Sequence, residues 1–176
     1  MLRGRKVGLR ARVESDVAVL QRELYEDVLN YSRAAVRPWR PVSPGRAGEF
    51  YAVADHDEGN AVFSVVTLDG DELAGECGLW GIDLHNRTAS VGLALLPGAR
   101  GRGLAVDIVQ VLCDYGFKIR GLHRIQIETL ADNAAMRATA VRTGFTEEGV
   151  RRQACWVDGA YLDDVTYGRL ATDRAV

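Results

Sequence analysis

A strand that breaks at a proline, crosses three glycines and enters a helix has few ways to fold, and residues 91–119 spell out that order. Val91 to Leu96 is an apolar run that reads as a strand. Pro97-Gly98-Ala99-Arg100-Gly101-Arg102-Gly103 breaks it, and Leu104 to Ile119 repeats apolar residues at helical spacing. Glycines let backbone approach a ligand closely, and the first turn of a helix carries N–H groups with no intrahelical partner. With the positive end of the helix dipole, those donors suit a phosphate or pyrophosphate. Arg100 and Arg102 add positive charge. No Gly-Lys-Ser/Thr follows, which excludes a P-loop, and glycines at 98, 101 and 103 do not spell G-x-G-x-x-G.

The 176 residues suit one domain, 1–176, with a sizeable core. A hydrophobic share of 47% with 26% charged residues is that of a soluble globular chain, and a net charge of −2 makes no general case for nucleic acid or a membrane. The basic stretch Met1-Leu2-Arg3-Gly4-Arg5-Lys6 is not followed by an apolar signal core, which argues against export. Cys77, Cys113 and Cys155 are odd in number and widely spaced, with no Cys-x-x-Cys or His-Glu-x-x-His pattern. The expectation is a reducing, cytoplasmic setting and no metal.

Elsewhere, alternation over Val7 to Val13 predicts a half-buried strand. Ser15 or Asp16 can cap a helix that puts Val17, Leu20, Leu24 and Val28 on one face. Arg37 to Gly45 is a proline-punctuated loop, and its Trp39 either lines a substrate mouth or plugs the core edge. Strands follow at Ala61–Leu68, Glu72–Trp80 and Thr88–Leu96, the first two joined by a turn at Asp69-Gly70-Asp71. The helix after the glycine loop sets Leu104, Ala105, Ile108, Val111, Leu112, Tyr115 and Ile119 in one stripe and stops at Gly121. Then come strand Arg124–Leu130, a helix capped by Asn133 and ending at Gly144, and strands Val150–Val157 and Ala160–Leu170 around Asp158-Gly159. The order implies a mixed sheet with helices packed on it, an α/β (α+β) layer system that is not doubly wound.

Arg100-Gly101-Arg102-Gly103-Leu104-Ala105 resembles the Arg/Gln-x-x-Gly-x-Gly/Ala pyrophosphate loop of the GNAT acyltransferases, which bind acetyl-CoA. The likeness runs along nearly the whole chain and is to the RimJ/RimL branch, which acetylates protein N-termini and small amines. Lys6-Val7-Gly8-Leu9-Arg10 with Asp16 looks like its opening, and Arg37-Pro38-Trp39 like its Pro-Trp loop. Asn133 through Gly144-Phe145-Thr146-Glu147-Glu148-Gly149 is similar to its Asn-x-x-Ser…Gly-Phe-x-x-Glu-Gly segment. Asp158-Gly159-Ala160-Tyr161-Leu162-Asp163 with Tyr167 resembles its closing hairpin.

The resemblance implies the GNAT fold: a central mixed, mostly antiparallel sheet with splayed middle strands and helices on both faces. It implies acetyl-CoA as cosubstrate, with pyrophosphate at Arg100–Ala105 and pantetheine amides on the strand at Leu93, Ala94 and Leu95. Asn133, beyond capping its helix, would contact the cofactor; Met136 and Arg137 stand on the same helix. Arg137 either reaches a CoA phosphate or is merely solvated. An amine would attack the thioester directly, with a backbone N–H of Leu93 or Leu95 stabilising the oxyanion and proximity supplying much of the rate. The family is often homodimeric, and the closing hairpin offers an interface.

The chain departs from the family where acid–base chemistry is expected. Ser90 stands at the usual glutamate position, Met136 replaces the branch's serine, and Cys155 falls where an acidic residue is expected. Glu76 is a base if buried, or else a solvent-facing strand residue. Ser90 is retained as a candidate by position, and Cys155 is a nucleophile or an inert buried thiol. Asp83 and His85 either reach the mouth or sit on a surface loop. Trp80 and Trp156 wall an acceptor pocket or pack in the core, and Tyr161 serves the hairpin first and substrate second. The leading expectation is an N-acyltransferase acting on a primary amine, and its rival is a non-catalytic acyl-CoA-binding module. A nucleic-acid-binding role rests only on the basic N-terminus.

Overall fold

The computed structural model describes residues 1–35, 37–43, 46, 48–53 and 58–173. Pro44 and Gly45 of the proline loop therefore lie outside the described residues. The chain runs β1 (Leu2–Arg3), β2 (Val7–Arg10), α1 (Glu14–Leu20), α2 (Val28–Ala35), β3 (Asn60–Thr67), β4 (Leu73–Asp83), β5 (Thr88–Leu95), α3 (Leu104–Asp114), β6 (Arg124–Leu130), α4 (Ala134–Arg142), β7 (Thr146–Val157) and β8 (Ala160–Leu170). One eight-stranded sheet has the order β1-β2-β3-β4-β5-β6-β8-β7, antiparallel at each pair but β5–β6. This is the expected mixed, mostly antiparallel sheet.

The two faces of the sheet carry separate apolar clusters. Leu104, Ile108, Val109 and Leu112 of α3 pack with Leu79, Val91, Ile125 and Ile127. On the other face Leu20, Leu24, Tyr25 and Tyr51 pack with Leu73, Ala94 and Leu96. Helices thus cover both faces, as the resemblance implies.

Several elements differ from expectation for identifiable reasons. The first strand stops at Arg10; Val7, Gly8 and Leu9 are all buried, because β1 and β3 flank β2 on its two edges. Neither Ser15 nor Asp16 occupies the cap of α1, which begins at Glu14 after Val13. Asp16 instead reaches back to accept the Val13 N–H (3.1 Å), the Arg10 guanidinium (2.7 Å) and the Ser64 hydroxyl (2.7 Å). Helix α1 ends in a wide turn closed by Glu26 N–H to the Gln21 carbonyl, so Val28 opens a separate helix and faces solvent. A second wide turn, Arg120 N–H to the Tyr115 carbonyl, closes α3. One extra residue in that turn rotates the stripe, so Ile119 is 64% exposed while Gly116 takes the buried position against Ile125. Asp158 and Gly159 both have positive φ, as a two-residue hairpin turn requires.

Asp107, in the first turn of α3, accepts the backbone N–H groups of Arg5, Lys6 and Val7 at 3.0, 2.7 and 3.0 Å. It ties the chain's beginning to the helix behind the glycine loop. A Cβ on Gly4 would lie 2.4 Å from this carboxylate, so glycine is required there.

Burial opposes the charge on Asp16, but hydrogen bonds from Arg10, Val13 and Ser64 outweigh it and hold the carboxyl down to about 2. The unfolded side chain titrates near about 3.9. Its stabilisation is therefore complete above about pH 4 and is lost as pH falls toward about 2. Asp16→Ala should lower stability by about 2 kcal/mol at neutral pH and much less at the acid end, measured by denaturant unfolding.

Candidate active site

Strands β5 and β6 pair over three rungs only: Thr88↔Arg124, Ala89↔Ile125 and Ser90↔Gln126. Both strands continue past this point, β5 to Leu95 and β6 to Leu130, without pairing. The sheet therefore opens into a gap whose apex is the last rung. There the Gln126 amide donates to the Ser90 hydroxyl at 3.0 Å.

Alternation decides which backbone groups face this gap. Arg124 N–H donates to the Arg87 carbonyl, placing odd-numbered residues of β5 toward β6, while Leu96 N–H donates to Ala74 on the β4 side. The peptide groups of Leu93 and Leu95 accordingly face the gap with no strand partner. Those of Ala94 face Glu76 in β4, so Ala94 does not offer its backbone to a ligand here. The Leu95 carbonyl is already taken by Arg100 Nε at 3.0 Å. Arg100 thus pins the glycine loop to the end of β5, and it also stands 3.9 Å from Asp27.

Past Leu95 the chain turns through Pro97–Ala99 and reaches Gly103, which precedes α3 with φ of +73°. Gly101 has the same φ, and a Cβ at either position would strain the backbone. No side chain caps α3. Its first N–H groups, from Leu104 and Ala105 onward, are open beside Arg102 and the end of the gap.

The face toward α1 and α2 carries the polar chemistry. Glu76 pairs in register with Ala94 and is half-buried, its carboxylate 2.6 Å from Arg12. Burial pushes the Glu76 carboxyl up, against the guanidinium that favours its charge. It is therefore not the solvent-facing strand residue of the simpler expectation. Arg12 lies over the Tyr51 ring at 5.5 Å, and its Nε is buried without a partner. Burial, with the Glu76 charge adding, raises both the Tyr51 hydroxyl and that of Tyr31. Sequence reasoning missed Arg12, Tyr31, Tyr51 and Gln126, since only the sheet brings residues so far apart together. Trp80 lies across Gly78 and Gly92; a Cβ on Gly92 would come 2.9 Å from the indole.

Trp39 joins the aromatic cluster, 6.2 Å from Tyr25, with its indole N–H buried and unpartnered. Asn133 caps α4 by accepting Met136 N–H at 3.2 Å and donates to Thr129. Met136 packs against the main core. Arg137 donates to Tyr167 and the Ala131 carbonyl and stands near Glu147, so it is not simply solvated. Cys155 is buried with Leu130, Val157 and Leu162, and burial raises its thiol, the reverse of an activated nucleophile. Trp156 and Tyr161 form an exposed edge-on pair beside the β7–β8 turn. Asp83 ends β4 and His85 lies on the surface turn after it, where Asp83 accepts the His85 and Asn86 N–H groups.

A family model for the acetyltransferase (GNAT) domain matches residues 6–146. The putative ribosomal N-acetyltransferase YdaF of Bacillus subtilis is 32% identical over 111 residues, 63% of this chain and 60% of that one. The ribosomal-protein-serine acetyltransferase of Escherichia coli is 30% identical over 115 residues, 65% of this chain and 64% of that one. The matches span 56% to 64% of the length of such curated relatives. Among solved structures, the spermidine N-acetyltransferase of Vibrio cholerae, in complex with CoA and spermine, superposes with a TM-score of 0.83. It covers 95% of this chain and 96% of that one at 23% identity, which establishes a shared fold.

Removing Arg12 leaves a half-buried carboxylate without its counter-ion. Arg12→Ala should cost about 2–3 kcal/mol at pH 8 and less as the pH is lowered, because burial raises the Glu76 carboxyl and its protonation removes the uncompensated charge. Adding Glu76→Gln should restore most of the loss; thermal melts as the pH is lowered read the difference.

Proposed function

We propose that this chain, which belongs to the GNAT acetyltransferase family, transfers an acetyl group from acetyl-CoA to a primary amine by direct attack. The observation that carries the reading is the open β5 edge at Leu93 and Leu95, running into an uncapped helix behind Gly101 and Gly103. An extended arm with two amides can pair with such an edge as an added strand does. Its pyrophosphate then meets the first turn of α3 with Arg100 and Arg102 beside it. Acetyl-CoA supplies the thioester. The Leu93 N–H, aimed into the gap, is the donor for the carbonyl oxygen as it gains charge.

The amine approaches from the α1–α2 face. Its nitrogen bonds to the acetyl carbon, the carbon–sulfur bond breaks, and sulfur leaves with the electron pair. Glu76, whose raised carboxyl lies on that face, takes the amine proton. Ser90 at the apex orients Gln126 and the acceptor. Cys155, buried and raised, carries no step in this mechanism.

The acceptor we infer carries a single amine, such as a protein N-terminus, and is not a polyamine. A polycation needs unpaired carboxylates. Glu76, Glu128 and Asp132 are instead held by Arg12, Arg151 and Arg33, at 2.6, 2.9 and 2.5 Å. The relative named for ribosomal-protein serine fits this choice better than the spermidine enzyme does. Three buried, unbridged cysteines support a reducing compartment such as the cytosol. The homodimer implied by the resemblance, with the exposed Trp156–Tyr161 tip as a contact, is tested by light scattering. Twice 19.2 kDa supports it, and 19.2 kDa removes it.

The rival reading, an acyl-CoA-binding module, is favoured by Glu76 being engaged by Arg12 and Cys155 being buried. Free-thiol release from acetyl-CoA, against short N-terminal peptides, monoamines and spermidine, separates the two. Turnover with peptides or monoamines is expected, together with loss of activity in Gly103→Glu and at least about tenfold loss in Arg100→Ala. Glu76→Gln should lower kcat about 10²-fold with KM for acetyl-CoA unchanged. It should also abolish the acid limb of the pH–rate profile, which burial places above the ordinary carboxylate range. Acetyl-CoA binding with no release on any acceptor would establish the module.

A further inference from the structure

The glycine loop has a second side. Away from the open β5 edge, Arg5, Lys6 and Arg102 converge on a hollow of about 460 Å³, flanked by Leu68 and Leu104 at the start of α3. One carboxylate stands among the three cations: Asp69, 3.8 Å from Arg102. Lys6 Nζ donates to the Arg102 carbonyl at 3.4 Å, and Arg5 has no ion-pair partner among the described residues. Thr67, whose hydroxyl is buried without a hydrogen-bond partner, lines this hollow and an adjoining one along Leu96–Ala99.

The positive charge is held in place by construction. The acidic side chain in the first turn of α3, Asp107, would oppose an anion there if it faced outward. It is turned inward and engaged by the backbone N–H groups of Arg5, Lys6 and Val7. The same three bonds carry the Arg5 and Lys6 side chains to the positive end of the helix. Gly103, which leaves α3 uncapped, is so close that a Cβ there would lie 3.8 Å from Lys6 Nζ.

We propose that this hollow is a phosphomonoester subsite that takes the 3′-phosphate of CoA, so that the N-terminal turn reads the donor's phosphorylated ribose. The inference rests on the acyl-CoA reading above. A phosphate dianion suits three cations set against one carboxylate, with a buried hydroxyl and an open helix end nearby. Arg102 and Leu104 belong both to the pyrophosphate loop and to the hollow, so one ligand can span the two. Arg5 and Lys6 lie almost a hundred residues from the loop in sequence, which is why only the fold brings them to it.

Calorimetry with CoA, 3′-dephospho-CoA and inorganic phosphate tests this on the full chain and on the Arg5→Ala/Lys6→Ala double variant. The parent should bind CoA about tenfold more tightly than dephospho-CoA, and added salt should narrow the difference. In the double variant the preference should fall below about twofold with dephospho-CoA affinity unchanged, which also reports an intact fold. Equal affinities in the parent, or a preference that survives the double substitution, overturns the proposal. Binding of inorganic phosphate without any preference for CoA overturns it too, in favour of a free-phosphate site. Failure to bind either CoA or dephospho-CoA removes the acyl-CoA reading itself, and the subsite with it.

Discussion

Three rungs between Thr88 and Ser90 join β5 to β6, and what lies on either side of them follows from their number. Strands β1 to β5 form one continuous antiparallel run, and β6, β8 and β7 form another. A parallel contact of full length would have closed the sheet and paired every peptide group. Ending it at Ser90↔Gln126 leaves the peptide groups of Leu93 and Leu95 without a strand partner. Buried peptide groups without partners are costly, so such an edge is stable where water or a ligand can reach it. The opening in the sheet and the capacity to hold an extended amide-bearing arm are thus one feature.

Several carboxylates near that opening are paired. Asp16 is held by Arg10, Asp107 by three backbone N–H groups, and Glu76 by Arg12. Each pairing joins separate elements of the fold. Asp107 fixes the chain's beginning against α3, and Arg12 fixes the strand-to-helix connection against β4. Three cations with little or no pairing, Arg5, Lys6 and Arg102, stand together at the glycine loop. Asp16 and Glu76 are thus paired on the α1–α2 side, while Arg5, Lys6 and Arg102 stand together on the other side of the glycine loop.

Elements with strong local signals were legible in the sequence: the glycine loop, strand β6, the Asp158-Gly159 turn and the cap at Asn133. Misreadings arose where one residue changed register. The wide turns after α1 and α3 each insert a residue, which exposes Val28 and Ile119 against their pattern. Burial of Gly8 and separation of α2 likewise depend on neighbours that no local window contains. At the site, the loop residues were readable because backbone conformation demands glycine there. Arg12, Tyr31 and Tyr51 were not, because an arginine or tyrosine in a connection looks the same whether it faces solvent or a buried carboxylate.

The sequence by itself determined the layer order, the strand–glycine–helix unit and the kinship that its motifs carry. These depend on periodicity, turn chemistry and positive φ, all encoded within a few neighbouring residues. Only the tertiary structure decided where β5 and β6 part, that Leu93 and Leu95 but not Ala94 face the gap, that Glu76 is half-buried against Arg12, and that Arg5 and Lys6 stand beside α3. Each of those is set by pairing register or by contact between residues as much as a hundred positions apart. Local preference has no means of recording such distances; packing and hydrogen-bond satisfaction do.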